Sequence, residues 1–330
     1  MSSKGEVFII AIYVDDILLA GKSNEHVTQV KVALAEKFAV KDMGELSYFL
    51  EVNIKQNTNG EIWIGQPVYT EKVLQKYGME NSKPVSTPVE VSSKLVKATE
   101  ESELVDQGLY QSIVGSLLYL STMTRPDINF AVCNVAKFTS EPTKHHLTAV
   151  KRILRYLRGT INYGLLYTKD GSNECIGYSD ADWAGDVNDR KSTSGYLFQV
   201  SGAAVSWKSK KQTCVALSTA EAEYIALASA AQEAVWLQRL NTDLQNKPNK
   251  PLRILEDNQS AICMAKNPQF HGRTKHIEIK YHFIRETVEH GTIELMYCPT
   301  EDMVADLLTK GLSKQRFEKL RQMSGLKEMF

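Results

Sequence analysis

The stretch Ile176–Asp186, IGYSDADWAGD, puts carboxylates where an apolar strand should run. Side chains alternate along an extended chain, so Ile176, Tyr178 and Asp180 share one face. A carboxylate on an apolar face is costly unless something pairs with it, and a metal ion is one such partner. Three later stretches also offer acids in mostly apolar surroundings: ALSTAEAEYIAL, LRILEDNQSAI and EDMVADLLTK. The expectation is a fold in which Asp180, Glu223, Asp257 and Asp306 meet.

Each acid has a competing structural role. Asp182 shares the face of Asp180, which is favoured because it ends the apolar alternation. Ser218-Thr219-Ala220-Glu221 reads as a capping box, giving Glu221 work at a helix start and leaving Glu223 free. The helix that follows is apolar nearly all round from Tyr224 to Ala231, so it is expected to be buried. Asp257 ends a strand where Asn258-Gln259-Ser260 opens a helix, the kind of place where open α/β sheets put ligands. Its bland alternative is a helix N-cap. Asp306 is expected in a helix after Thr300, between Ala305 and Leu307.

These acids need a scaffold, and the chain is long enough for two or three domains. Its 39 basic and 39 acidic residues cancel. Any nucleic-acid site must therefore be a local patch rather than a global field. The five cysteines, Cys133, Cys175, Cys214, Cys263 and Cys298, are scattered with no CxxC pair. That pattern fits a reducing, intracellular setting and argues against a disulfide framework or zinc ribbon. No apolar run approaches the ~18 residues of a membrane span, and the N-terminal run is neither signal peptide nor anchor.

In chain order, Val7 to Val14 and Ile17 to Ala20 read as a hairpin with Asp15 and Asp16 at its tip. A second hairpin turns at Asn59-Gly60. Helices are expected over Tyr69–Tyr77, Leu109–Met123 and Ile128–Phe138. Residues 82–105 are rich in Ser, Pro, Thr, Lys and Glu and read as a linker. In PTKHHLTAVKRILRYLRGT, Leu147, Val150, Leu154 and Leu157 form a buried stripe. Lys151, Arg152, Arg155 and Arg158 cover the rest of that helix with charge of one sign, a candidate track for a phosphate backbone. From Glu174 onward, strands are expected near 174–180, 195–200, 203–208, 252–257 and 292–298, with a long helix over 219–240. The result is a mixed five-stranded sheet flanked by helices.

Several strings resemble one family. YVDDILLAG (Tyr13–Gly21) is similar to the catalytic hairpin of reverse transcriptases. FAVKDMGELSYFLEVNI (Phe38–Ile54), QPVYTEKVLQKYGM (Gln66–Met79) and STPV (Ser86–Val89) resemble its copia-type retrotransposon branch. YQSIVGSLLYLSTMTRPDINFAV and HHLTAVKRILRYLRGT resemble the connecting region of copia-type polyproteins. GYSDADWAGDVNDRKSTSGYLF, VSWKSKKQTCVALSTAEAEYIAL, LEDNQSAI, RTKHIEIKYHFIRE and YCPTEDMVADLLTKGL run in order across 177–312 and look like its ribonuclease H domain.

That resemblance implies a C-terminal part of a Pol polyprotein with an α/β, mixed α+β, ribonuclease H-like fold. The expected division is a truncated reverse-transcriptase palm at 1–65, a helical thumb and connection region at 66–168, and the ribonuclease H-like domain at 169–330. Asp180, Glu223, Asp257 and Asp306 would bind two Mg²⁺ ions, with Mn²⁺ as a substitute, and cleave the RNA strand of an RNA–DNA hybrid. Asp15 would bind a polymerase metal, with Asp16 assisting. Arg190, Lys191, Lys208, Lys210, Lys211, Arg273 and Lys275 are candidate backbone contacts. Partners would be the hybrid, an upstream Pol segment or a second copy, with no membrane.

The sequence also departs from the family pattern. Glu51 stands where the family usually has Gly, and Met303 where copia-type chains usually have Gln. His271, His276, His282 and His290 fall too early to match the histidine that precedes the last Asp in cellular enzymes. Two-metal nucleotidyl transfer needs a further carboxylate, which the family places well upstream of the hairpin. The expectation is a nuclease whose polymerase part is not competent alone. The competing reading is a non-catalytic relic or domesticated binding module. An integrase, with three acids on a related sheet, is disfavoured by RKSTSGY and STAEAEY.

Overall fold

Alternating apolar residues at the N-terminus build an antiparallel hairpin of β1 (Phe8–Tyr13) and β2 (Asp16–Gly21), in which Tyr13 pairs with Asp16. Val14 adopts φ +51°, which suits the first central position of a two-residue hairpin turn. Helix α1 (Asn24–Lys37) follows, capped by Ser23, and buries none of its residues. The structure, a computed structural model, describes residues 7–91, 93–169, 174–245, 250–266 and 278–330.

Next come β3 (Tyr48–Phe49), β4 (Val52–Gln56) and β5 (Ile62–Gly65), with Gly60 at φ +81° in the turn between β4 and β5. Four helices then build the middle of the chain: α2 (Pro67–Lys76), α3 (Gln107–Met123), α4 (Pro126–Ala136) and α5 (Lys144–Arg158). They are followed by β6 (Tyr163–Tyr167). The C-terminal part runs β7 (Ile176–Asp182), β8 (Thr193–Val200), β9 (Ala203–Lys211), α6 (Thr219–Gln245) and β10 (Leu252–Glu256). After these come α7 (Gln259–Lys266), α8 (Glu278–Glu289), β11 (Ile293–Tyr297), α9 (Lys314–Met323) and β12 (Leu326–Glu328).

Two five-stranded sheets result. One has the order β11-β10-β7-β8-β9, with β10 parallel to both β11 and β7 and the β7-β8-β9 meander antiparallel. This is the expected mixed sheet. Its strands alternate between two cores. Tyr196 and Phe198 of β8 pack under α6, while Leu197 between them joins the core built from α3, α4, α5 and α9.

The other sheet has the order β12-β6-β5-β4-β3. It runs across both divisions expected at 65 and 168, because β12 at the C-terminal end pairs with β6, and β6 with β5. Trp63 is fully buried there, and its indole N–H donates to the Lys327 carbonyl at 3.2 Å. The ring needs the bare surface of Gly65 and Gly164, where an added Cβ would lie 2.3 and 2.5 Å from it.

The described part of residues 82–105, expected as a linker, is instead a docked strap. Leu95 is buried, the Val96 carbonyl lies 2.8 Å from His146 Nε2, and Asn188 holds Lys97 N and the Leu95 carbonyl at 2.9 and 3.1 Å. The strap is held through its backbone and a few apolar side chains, while most of its charged side chains face solvent.

A buried network locks the middle helices to the C-terminal end. Arg125 makes a bidentate pair with Asp127 at 2.9 and 2.8 Å, and Asp127 also accepts from the Tyr156 hydroxyl at 2.5 Å. Arg321 of α9 donates to that same hydroxyl at 3.1 Å. The segment Thr124–Asp127 between α3 and α4 is thus the anchor of α4. Among the described residues, no helix is long and apolar enough to cross a membrane.

Candidate active site

Asp180 sits on β7, the central strand of the mixed sheet, and is 1 % exposed. Its face is the one predicted from the alternation with Tyr178. Asp182, two residues on, is only half-buried and lies outside the acid cluster.

Glu223 lies in the first turns of α6. The competing acid, Glu221, is used as the sequence implied. Its backbone N–H donates to the Ser218 hydroxyl at 3.2 Å, and its carboxylate accepts from Leu217 N at 3.0 Å. Glu223 is therefore free to face the sheet. Asp257 follows the last residue of β10, and the cap of α7 is its neighbour: Asn258 Oδ1 accepts from Ala261 N at 3.0 Å. That removes the N-cap role from Asp257.

Asp180, Glu223 and Asp257 each offer one carboxylate oxygen within 4.8 Å of the others. This is the one group of three such ligands among the described residues. Crowding three acids in a poorly solvated place disfavours their charged forms. Burial first, then the negative charges of Asp180, Glu256 and Asp257, push Glu223 up to about 11. Burial raises Asp257 as well, against a lowering hydrogen bond from Thr300. Glu223 Oε2 is buried with no hydrogen-bond partner among the described residues.

Asp306 is fully buried, but in a 3₁₀ turn (Val304–Leu308) rather than the expected helix. Its carboxylate meets Lys310 Nζ at 2.7 Å and the Arg316 guanidinium. Lys310 also reaches Asp180 at 3.4 Å, and the Thr309 hydroxyl donates to Asp180. Burial, followed by the charge of Asp180, raises Asp306 to about 7, against the lowering pull of Lys310 and Arg316. Met303, beside this turn, is fully buried against Cys298 and Ala305.

Three site residues escaped the sequence reading. Glu256 is fully buried at the end of β10. Its signal was present, since Leu252, Ile254 and Glu256 alternate onto the buried face. Lys310 stands four residues after Asp306, a spacing that pairs charges on one helical face. Arg316 reaches Asp306 across a turn and carries no local signal.

The predicted cations divide into several groups. Lys208 and Lys210 are exposed on β9 and border a cavity of about 220 Å³ with Ser194, Tyr196 and Glu233. Arg190 is exposed, while Lys211 is paired with Asp186 and Asp189 at 2.7 and 2.8 Å, and Lys191 sits 3.9 Å from Asp189. Arg273 and Lys275, with His271 and His276, lie outside the described residues. The basic face of α5 is not an open track. Arg152 pairs with Glu90 at 2.5 Å, Arg155 donates to the Lys83 carbonyl at 2.8 Å and Arg158 to the Glu80 carbonyl at 2.5 Å. Their heads hold the strap and its lead-in, and only Lys151 is exposed. Asp15 and Asp16 are exposed at the tip of the first hairpin and belong to no group of three ligands among the described residues.

Comparison with known proteins decides the family. The sequence profile of a family described as Reverse transcriptase (RNA-dependent DNA polymerase) matches residues 1–91. The chain is 42 % identical over 331 residues to the retrovirus-related Pol polyprotein from transposon TNT 1-94 of Nicotiana tabacum, covering 98 % of this chain and 25 % of that protein. It is 35 % identical over 233 residues to a transposon Ty5-1 protein of Saccharomyces cerevisiae, covering 70 % of this chain and 75 % of that one.

The chain belongs to the copia-type retrotransposon Pol family.

This copia-type Pol chain spans about a quarter of the length of the tobacco polyprotein. Its fold is similar to the structure of the foamy viral protease-reverse transcriptase in complex with RNA/DNA hybrid. The TM-score is 0.51 at 16 % identity, covering 88 % of this chain and 36 % of that one. The mixed sheet of the Pol chain, with α6 packed on it, brings the three acids together.

Proposed function

We propose that the mixed sheet and its helices form a metal-dependent ribonuclease H that cleaves the RNA strand of RNA–DNA hybrids. The observation that carries this reading is the buried triad of Asp180, Glu223 and Asp257, with ligand oxygens within 4.8 Å of one another. An all-carboxylate donor set suits hard cations such as Mg²⁺, with Mn²⁺ as a substitute. The partnerless Glu223 Oε2 fits the same role, since a buried carboxylate oxygen needs a hydrogen bond or a cation. A divalent ion bound there would supply Lewis-acid activation of a water and stabilise the leaving 3′ oxygen.

The protein's own part is positioning. Asp180 is fixed on the central strand and oriented by the Thr309 hydroxyl. Asp257 is placed directly after the last residue of β10, one residue before the Asn258 cap of α7. Glu223 is aimed by a helix start that Ser218 and Glu221 cap. Lys208, Lys210 and Arg190 are exposed and available to a phosphate backbone, with the 2′-hydroxyl marking the RNA strand. The hybrid bound in the foamy viral relative supports the same class of substrate.

For the polymerase part, Asp15 and Asp16 gather no third ligand among the described residues. We read the hairpin as inactive in this chain alone. The test is cleavage of an end-labelled RNA–DNA hybrid in Mg²⁺, beside the matching DNA duplex and single-stranded RNA. Internal cuts confined to the RNA of the hybrid are expected. Equal cleavage of all three, or cleavage that survives EDTA, would refute the assignment.

A further inference from the structure

The four carboxylates are not equivalent. Asp180, Glu223 and Asp257 converge, but Asp306 does not join their group. Both of its oxygens face cations: Oδ1 lies 2.7 Å from Lys310 Nζ in an ion pair that is not aligned as a hydrogen bond, and Oδ2 is paired with Arg316. Arg316 is fixed in turn by donating to the Thr300 carbonyl at 2.6 Å. We propose that Lys310 and Arg316 act as a lock on Asp306, so that the free chain takes one divalent ion at the triad and the second position opens only when a nucleic-acid phosphate draws the two cations away. This rests on the ribonuclease H reading and deepens it.

The packing says which part can move. Val304, Ala305, Leu307 and Leu308 around Asp306 are all buried, and the segment lies tight on β8, where a Cβ added to Gly195 would come within 2.8 Å of Leu308 and Thr309. The backbone of the turn therefore has little room to swing. The side chains of Lys310 and Arg316 are about a third exposed, at 33 % and 34 %, whereas that of Asp306 is at 0 %. A phosphate arriving from solvent meets the cations before it meets the acid. Phe317 and Leu320 anchor α9 in the core, so Arg316 can exchange partners by side-chain rotation alone. Arg316 forms directional pairs with phosphate as readily as with carboxylate, and Lys310 serves as a point charge for either.

Lys310 has a second effect. Its ammonium lies 3.4 Å from Asp180, a member of the triad, so it opposes any cation bound there. Removing it should raise the affinity of the first site as well as expose the second. The lock thus works by occupying ligands, not by shaping them.

Titration calorimetry of the full chain with MnCl₂ alone, without hybrid, tests this at pH 7.5. The native chain should bind one ion. The double variant Lys310→Gln/Arg316→Gln should bind two, and Lys310→Gln alone should bind the first about tenfold or more tightly. Lys310→Arg, which keeps the charge, should behave as the native chain. Unfolding curves in EDTA establish that each variant is folded. Two ions in the native chain, or a folded double variant with one site of unchanged affinity, would overturn the lock. The nuclease reading fails separately, if Mn²⁺ binding to the native chain is absent or persists in Asp257→Asn.

Discussion

Glu223→Gln gives a sharp test of the electrostatics of the cluster. At 4.8 Å two unit charges repel by roughly 3–4 kcal/mol at an effective dielectric constant of about 20, so three ionised acids cannot coexist cheaply without a cation. The folded chain responds by holding a proton on Glu223, whose value rises from 4.5 to about 11. In the unfolded chain Glu223 releases that proton near its ordinary value. Through Glu223 alone the folded state thus binds one more proton than the unfolded state between about pH 5 and pH 10, with Glu256 and Asp306, also raised, acting in the same direction, and stability must fall as pH rises. The full effect is about 1.4 kcal/mol per pH unit, and local relaxation of the side chain could halve it. From pH 6 to pH 9 the loss is ~2–4 kcal/mol, a large part of an ordinary folding free energy. Gln carries no proton to release, so the variant lacks the Glu223 share of this slope and keeps that of Glu256 and Asp306. Urea unfolding in EDTA at pH 6, 7, 8 and 9 measures it. The native and variant curves should diverge steadily with pH, the native chain losing ground, and saturating Mg²⁺ should flatten the native slope. Parallel curves in EDTA would refute the claim that Glu223 is forced to stay protonated.

Other consequences follow from particular contacts. Arg125→Met leaves Asp127 as an unpaired buried charge and should cost about 3–5 kcal/mol in denaturant unfolding, since both side chains are at or below 1 % exposure. Gly195→Ala pushes a methyl group against Leu308 and Thr309. It should cost roughly 1–3 kcal/mol and weaken Mn²⁺ binding by displacing Thr309, whose hydroxyl orients Asp180. Lys208→Ala and Lys210→Ala should each lower the salt slope of hybrid binding by about one ion. Arg155→Ala should leave that slope unchanged and lower stability instead, because its guanidinium holds the Lys83 carbonyl.

What could be read from the sequence followed from local rules. The end of the apolar alternation favoured Asp180 and the capping residues favoured Glu223, but neither choice was settled: Asp182 shares the strand face of Asp180, and Glu221 lies only two residues from Glu223. Asp257 joins the acid cluster while its neighbour Asn258 caps α7, a division that spacing alone left open. The strap over 82–105 and the sheet joining β5, β6 and β12 depend on partners far along the chain, and composition carries no record of them. The same holds for α5. Its single-sign charge is real, but the strap and its lead-in, not solvent, receive three of the four cations. Arg316 is the site residue least visible from sequence, since its pairing with Asp306 exists only once α9 has docked.

The central claim is that Asp180, Glu223 and Asp257 form a working metal site. Its most direct test is cleavage of a labelled RNA–DNA hybrid in Mg²⁺ by the native chain and by Asp257→Asn, with unfolding curves to show that both are folded. The structure leads us to expect RNA cleavage by the native chain and its loss, by about a hundredfold or more, in the variant that removes one charged ligand. Cleavage retained in Asp257→Asn would contradict the assignment. So would a folded native chain that binds hybrid without cutting it, which would point to a binding module built on a nuclease fold.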